Sequence, residues 1–156
     1  MSSVLNSNNN SGINFLLSLE TRGIKLGLKR TRELLKCCGN PQNNLKSIQI
    51  IGTNGKGSTA ATLSSILLES GMNVGMYTSP HLVHLSERIQ INGLQISNDD
   101  INSFINNFKT DIENLECTFF ETMTALAMFH FYNNHIDIAV LETGLGGKYD
   151  SVTACN

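Results

Sequence analysis

The chain has 156 residues, 40% of them hydrophobic and 15% charged, with a formal net charge of −2. That is room for one domain with a real core, and it excludes the basic footprint of a nucleic-acid or anionic-membrane binder. No apolar run reaches the roughly 18 residues that a membrane helix needs. The first residues lack the basic and apolar regions of a signal peptide, so the expected location is cytoplasmic. Cys37, Cys38, Cys117 and Cys155 form no C-x-x-C pair, and the four histidines form no H-E-x-x-H pattern. Zinc is therefore not expected, and the thiols read as buried and reduced. His130, in an apolar helical stretch, reads as a packed residue.

In chain order, residues 1–12 are rich in Asn and Ser and read as a disordered tail, with the folded domain spanning 13–156. Ile13 to Leu19 predicts a short helix, and Thr21 to Gly27 a loop. Leu28 to Cys38 predicts a second helix with Leu28, Thr31, Leu34, Leu35 and Cys38 on one face. Gly39 and Pro41 stop it. Ile48, Ile50 and Ile51 predict a buried strand. Gly52 to Gly57 then forms a glycine-rich loop, and Ser58 to Ser70 a helix with Ala60, Leu63, Ile66 and Leu67 inward, stopped at Gly71. Asn73 to Thr78 is a second strand. Strand, helix and strand within about 30 residues make a βαβ unit, so these strands should run parallel.

Glu87 to Asn92 alternates as a strand, Gly93 turns it, and Leu94 with Ile96 suggests a short partner. Ser97 to Asp100 is a capping signal. The helix it opens carries Ile101, Phe104, Ile105, Phe108 and Ile112 on one face. Phe119 to Asn134 is a helix that is apolar nearly all round and so buried on several sides. Thr118, Phe120 and Glu121, at its start, could face a cleft. Ile136 to Leu141 is a third sheet strand, ending in Glu142 and a Gly-rich segment.

The chemistry concentrates on Gly52-Thr53-Asn54-Gly55-Lys56-Gly57-Ser58-Thr59. Glycines let backbone N–H groups turn toward an anion, the helix N-terminus adds partial positive charge, and Lys56 adds a full one. The spacing is two residues shorter before the lysine than the usual G-x-x-x-x-G-K-[ST] loop, with Gly57 inserted after it. A plain Gly/Asn turn from strand to helix is the alternative. Ser79 follows the second strand, at the sheet edge where open parallel sheets bind ligands. Its hydroxyl could ligate a metal, or it could merely open a turn before Pro80. Glu142, ending an apolar strand downstream of such a loop, is suited to hold Mg²⁺ that bridges phosphates.

Four segments resemble one family in its own order. Ile51 to Ser58 looks like the phosphate loop of the folylpolyglutamate synthase and dihydrofolate synthase family, within the Mur ligase superfamily. Leu26-Gly27-Leu28-Lys29-Arg30 resembles its Leu-Gly-Leu-(Glu)-Arg segment. Tyr77-Thr78-Ser79-Pro80-His81-Leu82 with Glu87-Arg88-Ile89 resembles the loop after its second strand, and Glu142 to Asp150 its Glu-x-Gly-Leu-Gly-Gly-Arg-x-Asp. The resemblance implies an α/β fold, a mostly parallel sheet with phosphate-loop nucleotide-binding topology like the Mur ligase ATP-binding domain, incomplete in this chain. It implies an ATP-dependent ligase that joins L-glutamate to the carboxylate of dihydropteroate or tetrahydrofolate through an acyl phosphate. ATP and Mg²⁺ would be the cofactors, with no nucleic-acid or membrane partner and a monomer at full length.

Carried over by position, Thr53, Asn54, Gly55, Lys56, Gly57, Ser58 and Thr59 would hold the nucleotide, with Lys56 on the transferred phosphate. Ser79 and Glu142 would ligate Mg²⁺. Thr118, Phe120, Glu121 and Asp150 would line the substrate site, where Phe120 could stack on a pterin. Lys148 stands where the family has Arg, keeping charge but losing a bidentate fork. Ser151-Val152-Thr153-Ala154-Cys155 replaces the commoner Ala-Thr-Asn. The family's further metal-ligating histidine, its modified lysine and its C-terminal domain would lie beyond Asn156, so residues 1–156 alone are not expected to turn over. A peptidoglycan-precursor ligase of the same superfamily, an ordinary phosphate-loop kinase or GTPase, and a non-catalytic nucleotide-binding module are the alternatives.

Overall fold

The computed structural model describes residues 11–25 and 27–155. Five strands form one sheet: β1 (Ser47–Ile50), β2 (Val74–Tyr77), β3 (Ile89–Ile91), β4 (Leu94–Gln95) and β5 (Ile138–Glu142). Their spatial order is β1-β5-β2-β3-β4. β1 and β2 both run parallel to β5, and β3 and β4 continue the sheet antiparallel. The α/β architecture and the parallel βαβ unit are as the pattern predicts. β5, the last strand in sequence, is inserted between the first two.

Alternation along the strands sends successive side chains to opposite faces. Ala139 and Leu141 of β5 join the large core, while Ile138 and Val140 join a smaller cluster with Val74 and Met76. Over the large face lie α1 (Ser11–Ser18), α2 (Lys29–Cys37), α4 (Asn98–Asn114) and α5 (Phe119–Asn133). α5 is the central one: Met123, Ala125, Leu126, Ala127, Met128 and Phe131 are all buried, so it is enclosed on several sides as expected. α4 buries Ile101, Phe104, Ile105 and Ile112, the face its spacing marks. Among the described residues α3 (Lys56–Glu69) alone covers the other face, through Ala60, Leu63 and Leu67.

Several details differ from the sequence expectations. Ile66, read as inward, is 61% exposed, because a single helix on that face buries only the narrow stripe through Ala60, Leu63 and Leu67. Glu87 and Arg88 do not begin the third strand; they close a 3-10 turn, Leu85–Arg88. α1 already includes Ser11 and Gly12, whose N–H donates to Asn102 Oδ1 at 2.7 Å; the rest of the expected tail lies outside the described residues, as does Leu26. His130 is half-buried, and desolvation lowers its pKa. Among the described residues no helix is long and apolar enough to cross a membrane.

The cysteines also separate. All are free; Cys117 and Cys155 are buried and Cys38 half-buried, but Cys37 is exposed. Burial pushes the thiols of Cys38, Cys117 and Cys155 up to about 12, which leaves almost no thiolate near neutrality. Titration of the native protein with a thiol-specific disulfide reagent at pH 8 should therefore modify Cys37 first. The other three should react only on unfolding in guanidinium.

Candidate active site

The parallel register brings Ile50 opposite Glu142 and Leu141 opposite Tyr77. The carboxyl ends of β1, β5 and β2 thus open on one edge, where three loops meet. The first runs from the end of β1 into α3. Gly55 sits at φ +75°, a left-handed conformation that favours glycine, and lets the chain turn directly into the helix. The first helical bond is Thr59 N–H to Gly55 C=O at 2.9 Å. The N–H groups of Lys56, Gly57 and Ser58 thus lie ahead of the helical ladder, at the positive end of the macrodipole.

That helix end faces a cavity of about 570 Å³, whose walls include Thr53, Asn54, Gly55, Lys56, Gly57 and Ser58. Ser79 and Glu142 also line it. Glu142 is 5% exposed, and its Oε2 accepts the Ser79 backbone N–H at 3.0 Å. A Cβ on Gly57 would stand 3.6 Å from the same oxygen, so the carboxylate lies against the first turn of α3. Thr59 is the one predicted nucleotide residue that does not line this cavity. Its hydroxyl turns back to donate to Gly55 C=O at 2.9 Å.

A second cavity of about 390 Å³ adjoins the first and shares Ser79 and Pro80 with it. Thr118, Phe120 and Asp150 line it, together with Arg88, Phe119, Leu145 and Tyr149. Phe120 lies 5.9 Å from the buried Tyr77 ring. A Cβ on Gly144 would come within 2.8 Å of the Phe120 ring, so only glycine allows this approach. Asp150 is held by two backbone N–H groups, from Leu145 at 2.7 Å and Val152 at 3.0 Å. The Arg88 guanidinium lies 5.0 Å over the Phe119 ring and donates from Nε to His81 Nδ1 at 2.8 Å.

Glu121 is not brought to either cavity. Its buried carboxylate pairs with Arg30, at 3.0 and 3.1 Å from Nε and 2.9 Å from Nη2, and accepts the Thr118 N–H at 2.8 Å. It fixes the start of α5, and with it Thr118 and Phe120. Arg88 and Glu87, although both lie within the Glu87-Arg88-Ile89 match, are among the site residues that sequence reasoning missed, with Phe119, Leu145 and Tyr149. Glu87 lines the first cavity, and N–H bonds from His84, Leu82 and Val83 hold its carboxyl below the ordinary range.

Glu142 and Ser79 supply hard oxygen donors, the kind that divalent cations such as Mg²⁺ take. No group of three or more His, Cys, Asp or Glu suited to a metal occurs among the described residues. The donors present fit a cation that draws its other ligands from phosphate and water.

No protein-family model matches the chain. The dihydrofolate synthase/folylpolyglutamate synthase of Bacillus subtilis is 40% identical over 136 residues, 83% of this chain and 32% of that protein. A structure of E. coli FolC in complex with DHPP and ADP superposes with a TM-score of 0.85 at 32% identity, over 92% of this chain and 35% of that one. The chain belongs to the folylpolyglutamate synthase/dihydrofolate synthase family. It matches the N-terminal part of the family's proteins and spans between 18% and 33% of the length of curated relatives. A Yersinia pestis family member, complexed with AMPPNP and Mn, superposes with a TM-score of 0.82 at 33% identity, over 94% of this chain and 36% of that one.

The Arg30–Glu121 pair carries a clear expectation. Removing one partner leaves a buried charge unpaired, which costs roughly 3–5 kcal/mol. Arg30→Ala should lower stability by about that amount in urea unfolding. Arg30→Ala combined with Glu121→Gln should recover part of the loss.

Proposed function

We propose that this chain forms the nucleotide-binding part of an ATP-dependent ligase that joins L-glutamate to the carboxylate of dihydropteroate or tetrahydrofolate. The observation that carries this reading is the arrangement of the two cavities. One sets the first turn of α3 and Lys56 beside the buried Glu142 carboxylate. The other is lined by Phe119, Phe120, Leu145 and Tyr149 and opens beside it across Ser79 and Pro80. A triphosphate suits the first, and a flat aromatic acid suits the second. The complexes of family members with ADP and DHPP, and with AMPPNP and Mn, support the same pairing.

In this reading the N–H groups at the start of α3 and the Lys56 ammonium hold the phosphates and balance their charge. The substrate carboxylate attacks the γ-phosphorus and ADP leaves. The amine of glutamate then attacks the resulting acyl phosphate, forming the amide and releasing phosphate. Such chemistry needs positioning and charge neutralisation more than a covalent catalyst. Ser79 and Glu142 would hold Mg²⁺, which supplies further charge neutralisation at the phosphates. Phe120 offers a stacking face to the pterin ring, with the buried Thr118 and Asp150 lining the same cavity. The full-length protein acts as a cytoplasmic monomer on small molecules.

Lys56→Ala should weaken nucleotide binding by ~100-fold, the scale expected for losing a charge that faces phosphate. Glu142→Gln should remove most of the enhancement of ADP binding by magnesium while leaving the metal-free affinity close to that of the unmodified chain. Calorimetric titration with and without magnesium reads both. Unchanged binding in Lys56→Ala would contradict the assignment.

A further inference from the structure

The segment between β2 and β3 is tied at its ends: Thr78 N–H donates to Arg88 C=O at 2.9 Å, and Arg88 Nε donates to His81 at 2.8 Å. Its middle has no such apolar support. Leu82 is 92% exposed and Val83 74% exposed, so burial does not hold them. A single side chain does. Glu87 Oε1 accepts from Val83 N–H at 3.0 Å and from His84 N–H at 2.7 Å, and Oε2 accepts from Leu82 N–H at 2.7 Å. Three consecutive backbone donors thus converge on one carboxylate, and bonds to an ionised acceptor are roughly twice as strong as neutral ones. Glu87 and Leu82 line the cavity that also holds Ser79 and Glu142.

We propose that Glu87 is a positioning residue for nucleotide binding, its carboxylate gathering the backbone of residues 82–84 so that Leu82 is held at the wall of the cavity that α3 lines. The proposal rests on the nucleotide reading of that cavity. Glu87 touches no reacting atom; it acts through the loop. With the clamp intact, Ser79 is held between the end of β2 and a closed wall, and Leu82 is kept at the rim. With the clamp removed, the end ties, the Glu87 N–H bond to His84 C=O and the buried Leu85 still hold the flanks, but the N–H groups of residues 82–84 lose their acceptor and the wall at Leu82 opens.

The atoms dictate different outcomes for different substitutions. Glu87→Gln keeps one oxygen for the Val83 and His84 donors but sets an NH₂ group against the Leu82 N–H. Glu87→Ala removes every acceptor. Lys56→Ala leaves the loop untouched and tests the nucleotide reading by itself.

Amide hydrogen exchange on the full chain, combined with fluorescence titration of a methylanthraniloyl-ADP probe in magnesium, tests the proposal. In Glu87→Ala the amides of Leu82, Val83 and His84 should exchange at least about 10-fold faster, as for a locally opened segment, and probe affinity should fall by ~10-fold. In Glu87→Gln the Leu82 amide should change most, with a smaller loss of affinity. The amides of Val140 and Leu141 in β5 should keep their protection in both variants, showing that the fold is intact. Lys56→Ala should lose probe binding with the loop amides unchanged. Unaltered exchange at residues 82–84 in Glu87→Ala overturns the clamp. Faster exchange with unaltered probe affinity overturns the positioning role. An unmodified chain that binds no probe, matched by Lys56→Ala, overturns the nucleotide reading and the positioning role with it, while the exchange data still report on the clamp.

Discussion

The placement of one buried carboxylate governs the site. Glu142 ends β5, the strand between β1 and β2, and is almost fully removed from water. A carboxylate there is costly unless donors and positive charge surround it. The Ser79 N–H, the first turn of α3 and the Lys56 side chain lining the same cavity answer that requirement. The sheet order makes this possible. Because β5 lies between β1 and β2, the loops following all three strands reach one carboxylate from both sides.

The second cavity depends on a different buried charge. Glu121 lies in the first turn of α5 and pairs with Arg30 of α2, lining neither cavity. The same carboxylate accepts the Thr118 N–H and so sets where the helix begins. Thr118 and Phe120 therefore owe their positions to a contact between helices 91 residues apart in the chain. Gly144 completes the arrangement by leaving room for the Phe120 ring. Polar interactions at the rear of α5 thus build an aromatic wall at its front.

Much of this was legible in the sequence, for local reasons. The glycine loop, Ser79 after β2 and Glu142 at the end of β5 each announce themselves within a few residues of a strand end. The helix faces of α4 and α5 follow from periodicity. What was not legible depends on partners distant in the chain or on fine geometry. Nothing near Glu121 says that its carboxylate meets Arg30 instead of a cleft. Nothing near Thr59 says that its hydroxyl returns to Gly55 and leaves Ser58 to face the cavity. Ile66 obeys the helical pattern, but among the described residues only one helix covers that face, so the buried stripe is narrower than the pattern suggests. Glu87 was hidden because an alternating strand pattern overlapped a turn that its own carboxylate creates.

The central claim is that α3, Ser79 and Glu142 form one nucleotide cavity. It is tested most directly by an amide ¹H–¹⁵N titration of this chain with Mg²⁺ and ADP. The account predicts that the amides of Asn54 to Ser58, Ser79, Glu142 and Thr143 shift together with a single dissociation constant, while those of α4 stay in place. Shifts confined to other surfaces, or two groups titrating with different constants on the two sides of the cavity, would contradict it.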